Sequence, residues 1–176
     1  MRKIAVAAIL LFLTLVIVVG VPAGYLYMIA SIFDQSSGPF PSDAQMIAHW
    51  RTHRATLERL AAMLNEDRAL ARIGDTWTDP DPPGVSAERL ALYRRLMREA
   101  KILVAENGGP YDRQVTLVYY TVGLAIAGSA KSFCFGPPPN FLDAVVDDLD
   151  KARADYKHHW LLQRRIDGDW WLQYEG

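Results

Sequence analysis

The sequence predicts an α+β protein: an N-terminal transmembrane helix followed by one small domain of antiparallel sheet with helices packed on one face. Three observations lead there. Ile4 to Ala30 is an uncharged run of 27 residues, two amphipathic segments with helix-capping residues follow it, and the second half of the chain turns to β-branched and aromatic stretches. Helices followed by strands in separate runs is the pattern of an α+β domain rather than of alternating βα units.

As a helix the first stretch reaches ~40 Å at about 1.5 Å per residue, more than a hydrocarbon core of ~30 Å requires. A signal peptide is the rival reading, with Arg2 and Lys3 as its basic start and Val21-Pro22-Ala23 before Gly24 as its cleavage site. The apolar run from Ile4 to Gly20 is already 17 residues, above the usual core of about 7–15. It also continues through Tyr25, Tyr27 and Ile29, so an uncleaved anchor is expected. Arg2 and Lys3 precede the run and the next basic residue is Arg51. The positive-inside bias then keeps the N-terminus in the cytoplasm. The expected location is the bacterial inner membrane, single-pass, with the C-terminal domain on the periplasmic side.

Residues 1–33 are thus assigned to the anchor, 34–41 to a linker interrupted by Gly38, Pro39 and Pro41, and 42–176 to an extracytoplasmic domain. Residues 34–176 keep all 20 acidic side chains and lose only Arg2 and Lys3 of the 19 basic ones, a charge of −3. That mixed, weakly acidic balance gives no support for nucleic-acid binding. The single cysteine, Cys134, has no partner for an internal disulfide, and its neighbours Phe133 and Phe135 point to burial.

Ser42 with Gln45 has the form of a capping box. The helix it opens runs to about Asp67, with Met46, Trp50, Leu57, Leu60 and Leu64 as its apolar stripe. Leu70 and Ile73 extend it by a broken turn, and Asp75 to Gly84 is a proline-rich loop. A second helix runs from Ser86 to about Lys101 with Leu90, Tyr93, Leu96, Met97 and Ala100 on one side. Asn107-Gly108-Gly109-Pro110 ends that region. Val115 to Val122 and Lys131 to Phe135 read as two antiparallel strands. Asn140 caps a third helix lined by Phe141, Val145 and Leu149. Two further strands, Tyr156 to Ile166 and Trp170 to Tyr174, are joined by Asp167-Gly168, which supplies the positive φ of a tight hairpin.

Few residues suggest chemistry. His49 and His53 share a helical face, but a zinc-protease pattern needs Glu after the first His, and Trp50 is there. No third ligand is identifiable, so no metal and no cofactor are expected. His158 and His159 are adjacent, which on a strand sends them to opposite faces. Gly123 and Gly128 with Lys131 and Ser132 lack the lysine directly after the second glycine that a phosphate-binding loop requires, which leaves no nucleotide site. Ser129 and Lys131 are two apart, so on a strand both face one way, the arrangement in which a lysine can activate a serine. In the last hairpin Trp170, Leu172 and Tyr174 alternate with Trp171 and Gln173. One set faces the core, and Trp171 with Gln173 is expected to form an exposed partner contact, the alternative being that Trp171 packs under a helix or loop.

Several segments resemble uncharacterised small bacterial envelope proteins, lipoprotein-like or anchored by one N-terminal span. They are His53-Arg54 with Leu57-Glu58-Arg59-Leu60, Tyr93-Arg94-Arg95-Leu96, Gly123-Leu124, Gly128-Ser129-Ala130-Lys131 and the closing run Ile166 to Glu175. The resemblance implies an envelope location and one folded unit; it implies no activity, and the chain lacks the acylatable cysteine of the lipoprotein members. The function expected is therefore a tethered, non-enzymatic protein-interaction module, with immunity or inhibitor proteins as one concrete version and an envelope protein as its partner. A small hydrolase using Ser129 and Lys131 and a scaffold subunit of a membrane complex are the alternatives.

Overall fold

Ser42 starts the folded chain as the spacing predicts. Its hydroxyl accepts from the Gln45 amide at 3.2 Å, and the Gln45 side chain accepts from the Ser42 amide at 2.8 Å. This reciprocal cap satisfies two of the donors that a helix start leaves open. The computed structural model describes residues 40–108, 114–122, 128–137, 144–155 and 161–176. Phe40–Gly176 forms one unit. Helix α1 (Asp43–Glu66) departs from helical geometry at His53, where φ is −109° and ψ is 17°. The predicted stripe of Met46, Trp50, Leu57, Leu60 and Leu64 is buried throughout. Each of these large side chains contributes ~1.5–3 kcal/mol relative to an exposed one.

Beyond α1 come strands β1 (Arg72–Gly74) and β2 (Thr78–Asp79), helix α2 (Ala87–Glu99), and strands β3 (Val104–Asn107), β4 (Val115–Val122), β5 (Ser129–Phe135) and β6 (Ala144–Val145). Helix α3 (Leu149–Asp155) and strands β7 (Leu161–Asp167) and β8 (Trp170–Glu175) complete the order. One eight-stranded sheet results, in the order β2-β1-β3-β4-β5-β8-β7-β6. All its pairs are antiparallel except β6 with β7.

The predicted fold class needs correcting on two counts. The small four-stranded sheet is in fact twice that width, and one edge is parallel. In addition, no helix among the described residues is long and apolar enough to cross a membrane. The span predicted over 4–30 lies outside the described residues. The extra strands come from stretches read otherwise. Ile73 does not extend α1 but pairs with Thr78 and Ala105, and Gly74 leaves room for the Trp77 indole, which a Cβ there would meet at 2.4 Å. Val145 does not line a third helix that begins at Asn140. It sits in β6, and α3 begins later, where Asp148 accepts from the Lys151 amide at 2.9 Å. Phe40 and Pro41, assigned to the linker, belong to the domain: Phe40 packs edge-on against Tyr120 and Tyr174 at 5.2 and 5.8 Å.

Helices α1 and α3 cover the face of the sheet that carries Lys131, Phe133, Trp170 and Leu172. Asp43 of α1 and Asp150 of α3 both bond Lys131, His49 stacks near Phe133 and Trp50 meets Trp170. α2 is clipped to α1 by Arg89 and Tyr93, which both donate to Asp67, at 2.7 and 2.8 Å. The other face holds a buried amide cluster. One Gln163 amide nitrogen donates to Gln114 and Gln173, each at 2.7 Å, and the Cys134 thiol lies 3.3 Å from the Gln173 carbonyl.

In the terminal hairpin the turn residues are Gly168 and Asp169, and Gly168 alone takes a positive φ, of 52°. Nothing lies within 4 Å of a Cβ placed there, so the backbone is the only obstacle. Gly168→Ala should therefore lower the unfolding free energy by about 1–2 kcal/mol, the cost of a left-handed L-residue. Urea denaturation checks this, and an unchanged midpoint would mean the turn relaxes freely.

Candidate functional site

Of the residues singled out in the sequence, those that the structure describes are mostly internal. Lys131 is 0% exposed. Its ammonium donates to the Pro41 carbonyl at 2.9 Å, to Asp43 Oδ1 at 2.7 Å and to Asp150 Oδ1 at 2.6 Å. Those three acceptors use all the donors an ammonium has. Ser129 Oγ sits instead 3.3 Å from the Tyr174 hydroxyl, and among the described residues no hydrogen bond joins it to Lys131. Two-residue spacing places both on one face as predicted, yet the lysine is directed to the helices and does not activate the serine. The carboxylates of Asp43, Asp148 and Asp150 lie within 4.8 Å of one another. Lys131 already supplies a positive charge to two of them.

Asp43 gathers more than one partner. Its second oxygen accepts from the Leu149 amide at 2.8 Å and from Arg164 at 2.8 Å. Burial alone would raise this carboxyl, but the hydrogen bonds from Lys131, Arg164 and Leu149 outweigh it and hold the group below the usual carboxylate range.

Trp171 and Gln173, the expected partner contact, are only 7% and 8% exposed. Strand β8 lies between β5 and β7, so it is interior, and both of its faces are covered. The Trp171 indole donates to the Gly136 carbonyl at 3.0 Å, and Gln173 belongs to the amide cluster. A contact surface therefore has to be sought elsewhere. His158, His159 and Gly123 lie outside the described residues.

The surface that does gather charge is a cleft of about 480 Å³ between α1 and the end of β7. Ile47, Trp50, Arg51 and Arg54 recur at i, i+3, i+4 and i+7, so α1 turns them all to the same side. β7 contributes Arg164 and Arg165. β6 pairs only with Leu162 and Gln163, so beyond them β7 has no strand neighbour on that side among the described residues. Three guanidinium-bearing side chains, Arg51, Arg54 and Arg164, lie on the α1 side of the sheet at this cleft, and they are not equally engaged. Arg54 pairs with Glu58 at 2.8 Å and Asp167 at 2.9 Å, and Arg164 pairs with Asp43. Arg165 adjoins the cleft along β7, but it pairs opposite Trp171, so its guanidinium lies on the other face of the sheet, over the Trp171 ring and donating to the Gly168 carbonyl at 2.8 Å. Arg51 makes no ion pair among the described residues. Planar guanidinium groups bind carboxylates and phosphates in a bidentate fashion, so the cleft is built to take an anion.

Sequence reading missed this cleft. Arg51 and Arg54 lie off the apolar stripe of α1, where basic side chains ordinarily mark no more than a solvated face. The adjacent pair Arg164-Arg165 was the one visible signal, but nothing local says that α1 runs beside it. Comparison with protein-family models, with curated proteins and with solved structures found no match for the chain.

His49 gives the site region a pH signature. Burial is the largest influence and pushes its imidazole below the ordinary 6.5; His53 and Lys101 act in the same direction, against the hydrogen bond between Nε2 and the Ala100 carbonyl. The unfolded chain therefore binds the proton more readily, and stability falls as pH drops below 6.5. His49→Gln retains a donor for Ala100 and does not titrate. Its unfolding free energy should fall less than that of the natural chain as the pH is lowered through that range, measured by urea denaturation. Parallel pH profiles would show that His49 carries no such linkage.

Proposed function

We propose that residues 40–176 form a non-enzymatic interaction module that takes an acidic segment of an envelope protein into the arginine cleft. The observation that carries this reading is Arg51, exposed and without an ion pair among the described residues, in one cleft with Arg54 and Arg164. The uncharged run from Ile4 to Ala30, preceded by Arg2 and Lys3, supports delivery of the domain to the outer side of a membrane, where such a partner is met. An immunity or inhibitor protein that masks an acidic toxin surface is one form this function takes. The hydrolase alternative is weakened by the engagement of Lys131 with Asp43 and Asp150, and no observation favours the scaffold reading.

Crosslinking in intact cells through a C-terminal tag, compared between the natural chain and Arg51→Glu, tests the proposal. One stoichiometric partner should be crosslinked through an acidic segment, strongly reduced in the variant and weakened by salt. The exchange is at an exposed position, so stability should stay within about 0.5 kcal/mol. A partner retained in full by Arg51→Glu, or crosslinked through a neutral or basic segment, would contradict the proposal.

A further inference from the structure

A second cavity, of about 290 Å³, opens where α2 ends and the chain turns into β3. Its apolar side is Met97 and Ile102, both buried, with Leu103 at the rim, 49% exposed. Its charged side is Arg94, Arg98 and Lys101, against the single carboxylate of Asp75. Asp75 engages Arg98 at 3.3 Å, and both groups are well exposed, so that pair is weak. Arg94 and Lys101 have no acidic partner among the described residues.

Two features at this place are costly for the fold alone. The Nε of Arg94 is buried without a hydrogen-bond partner. A buried donor left unpaired costs about 1–3 kcal/mol, and more when the group is charged. Lys101 is the only non-glycine residue with positive φ among the described residues, at 53°. It occupies the position after the helix cap at which the Ile102 amide returns to the Met97 carbonyl at 2.8 Å and the Lys101 amide to Arg98 at 3.3 Å. Glycine is the usual residue in that motif because it adopts the conformation without strain. A lysine there sacrifices stability and places an ammonium at the cavity. Cations at a helix end also answer the negative pole of its dipole, but that pole amounts to about half a charge and three cations exceed it.

From the cavity, the Arg94 guanidinium without an acidic partner among the described residues and the strained Lys101 together, we propose that this site binds an anionic amphiphile, a molecule with one carboxylate or phosphate head and an apolar tail. The head meets Arg94 and Lys101, and the tail lies along Met97, Ile102 and Leu103. This site is separate from the arginine cleft and does not depend on it. Free alkanoates and the acidic lipids of a bilayer share this chemistry.

The test uses the full-length chain in phosphatidylcholine nanodiscs. One arm adds a diazirine-bearing alkanoic acid, the other incorporates diazirine-bearing phosphatidylglycerol, and labelled residues are mapped by mass spectrometry. Label should fall on the segment from Met97 to Leu103 and be competed by octyl phosphate but not by octyl glucoside. Labelling in the first arm identifies a free molecule as the source and in the second a bilayer lipid; either supports the site. Arg94→Gln should reduce labelling about tenfold, as expected for loss of a charge-assisted hydrogen bond. Lys101→Gly should reduce it while raising the thermal midpoint, so that lost labelling cannot be read as unfolding. Labelling absent from this segment in both arms, or unchanged in Arg94→Gln and Lys101→Gly, would overturn the proposal.

Discussion

The ammonium of Lys131 is the point on which the domain is assembled. It projects from the middle of the sheet and is fully buried, and it joins the segment entering α1 through Pro41, the first residue of α1 through Asp43, and α3 through Asp150. Three elements distant in sequence thus converge on one charge. Asp43 closes the network by accepting the Leu149 amide at the start of α3, while Asp150 accepts the Asp43 amide at 2.7 Å. Such a cluster is poor evidence for net stability, because desolvation offsets much of the attraction. Its effect is specificity: removing one member strands the others in a low-dielectric interior, so only the arrangement that keeps all of them is favourable.

The same cluster reaches the surface that carries the proposed function. Arg164 takes the remaining capacity of Asp43, which fixes one wall of the arginine cleft, and Arg54 bridges α1 to Asp167 on the opposite side of it. The internal cluster sets the separation of helix and strand, and the exposed Arg51 remains for a ligand. The cavity beside Lys101 follows a different logic. There a helix end accepts backbone strain and an unpaired donor, features that the fold itself does not require.

The parts of the fold legible in the sequence are those fixed by local chemistry. Ser42 and Gln45 marked the start of α1, the apolar stripe marked its buried face, and β4, β5 and the terminal hairpin followed from β-branched and aromatic content with Gly168 between. The parts not legible depend on distant partners. β1, β2, β3 and β6 are only two to four residues long. No periodicity can develop in so few residues, and their identity as strands is fixed by neighbours such as Ala105 for Ile73 or Gln163 for Val145. Trp171 and Gln173 were misjudged for a related reason. Alternation tells which residues share a face but not that β8 is central and covered on both. Lys131 drew attention through its neighbour Ser129, whereas its partners lie 88 and 19 positions away.

The most direct measurement of this account is a double-mutant cycle on the full-length chain with Lys131→Met and Asp43→Asn, followed by urea denaturation. Each single change leaves a buried group without its main partner, and the pair removes both. The account predicts a coupling energy of at least about 2 kcal/mol, within the range seen for groups sharing one network. Additivity within about 0.5 kcal/mol would contradict it. Lys131 would then be a tolerated internal charge, and the placement of α1 and α3 on the sheet would rest on apolar packing alone.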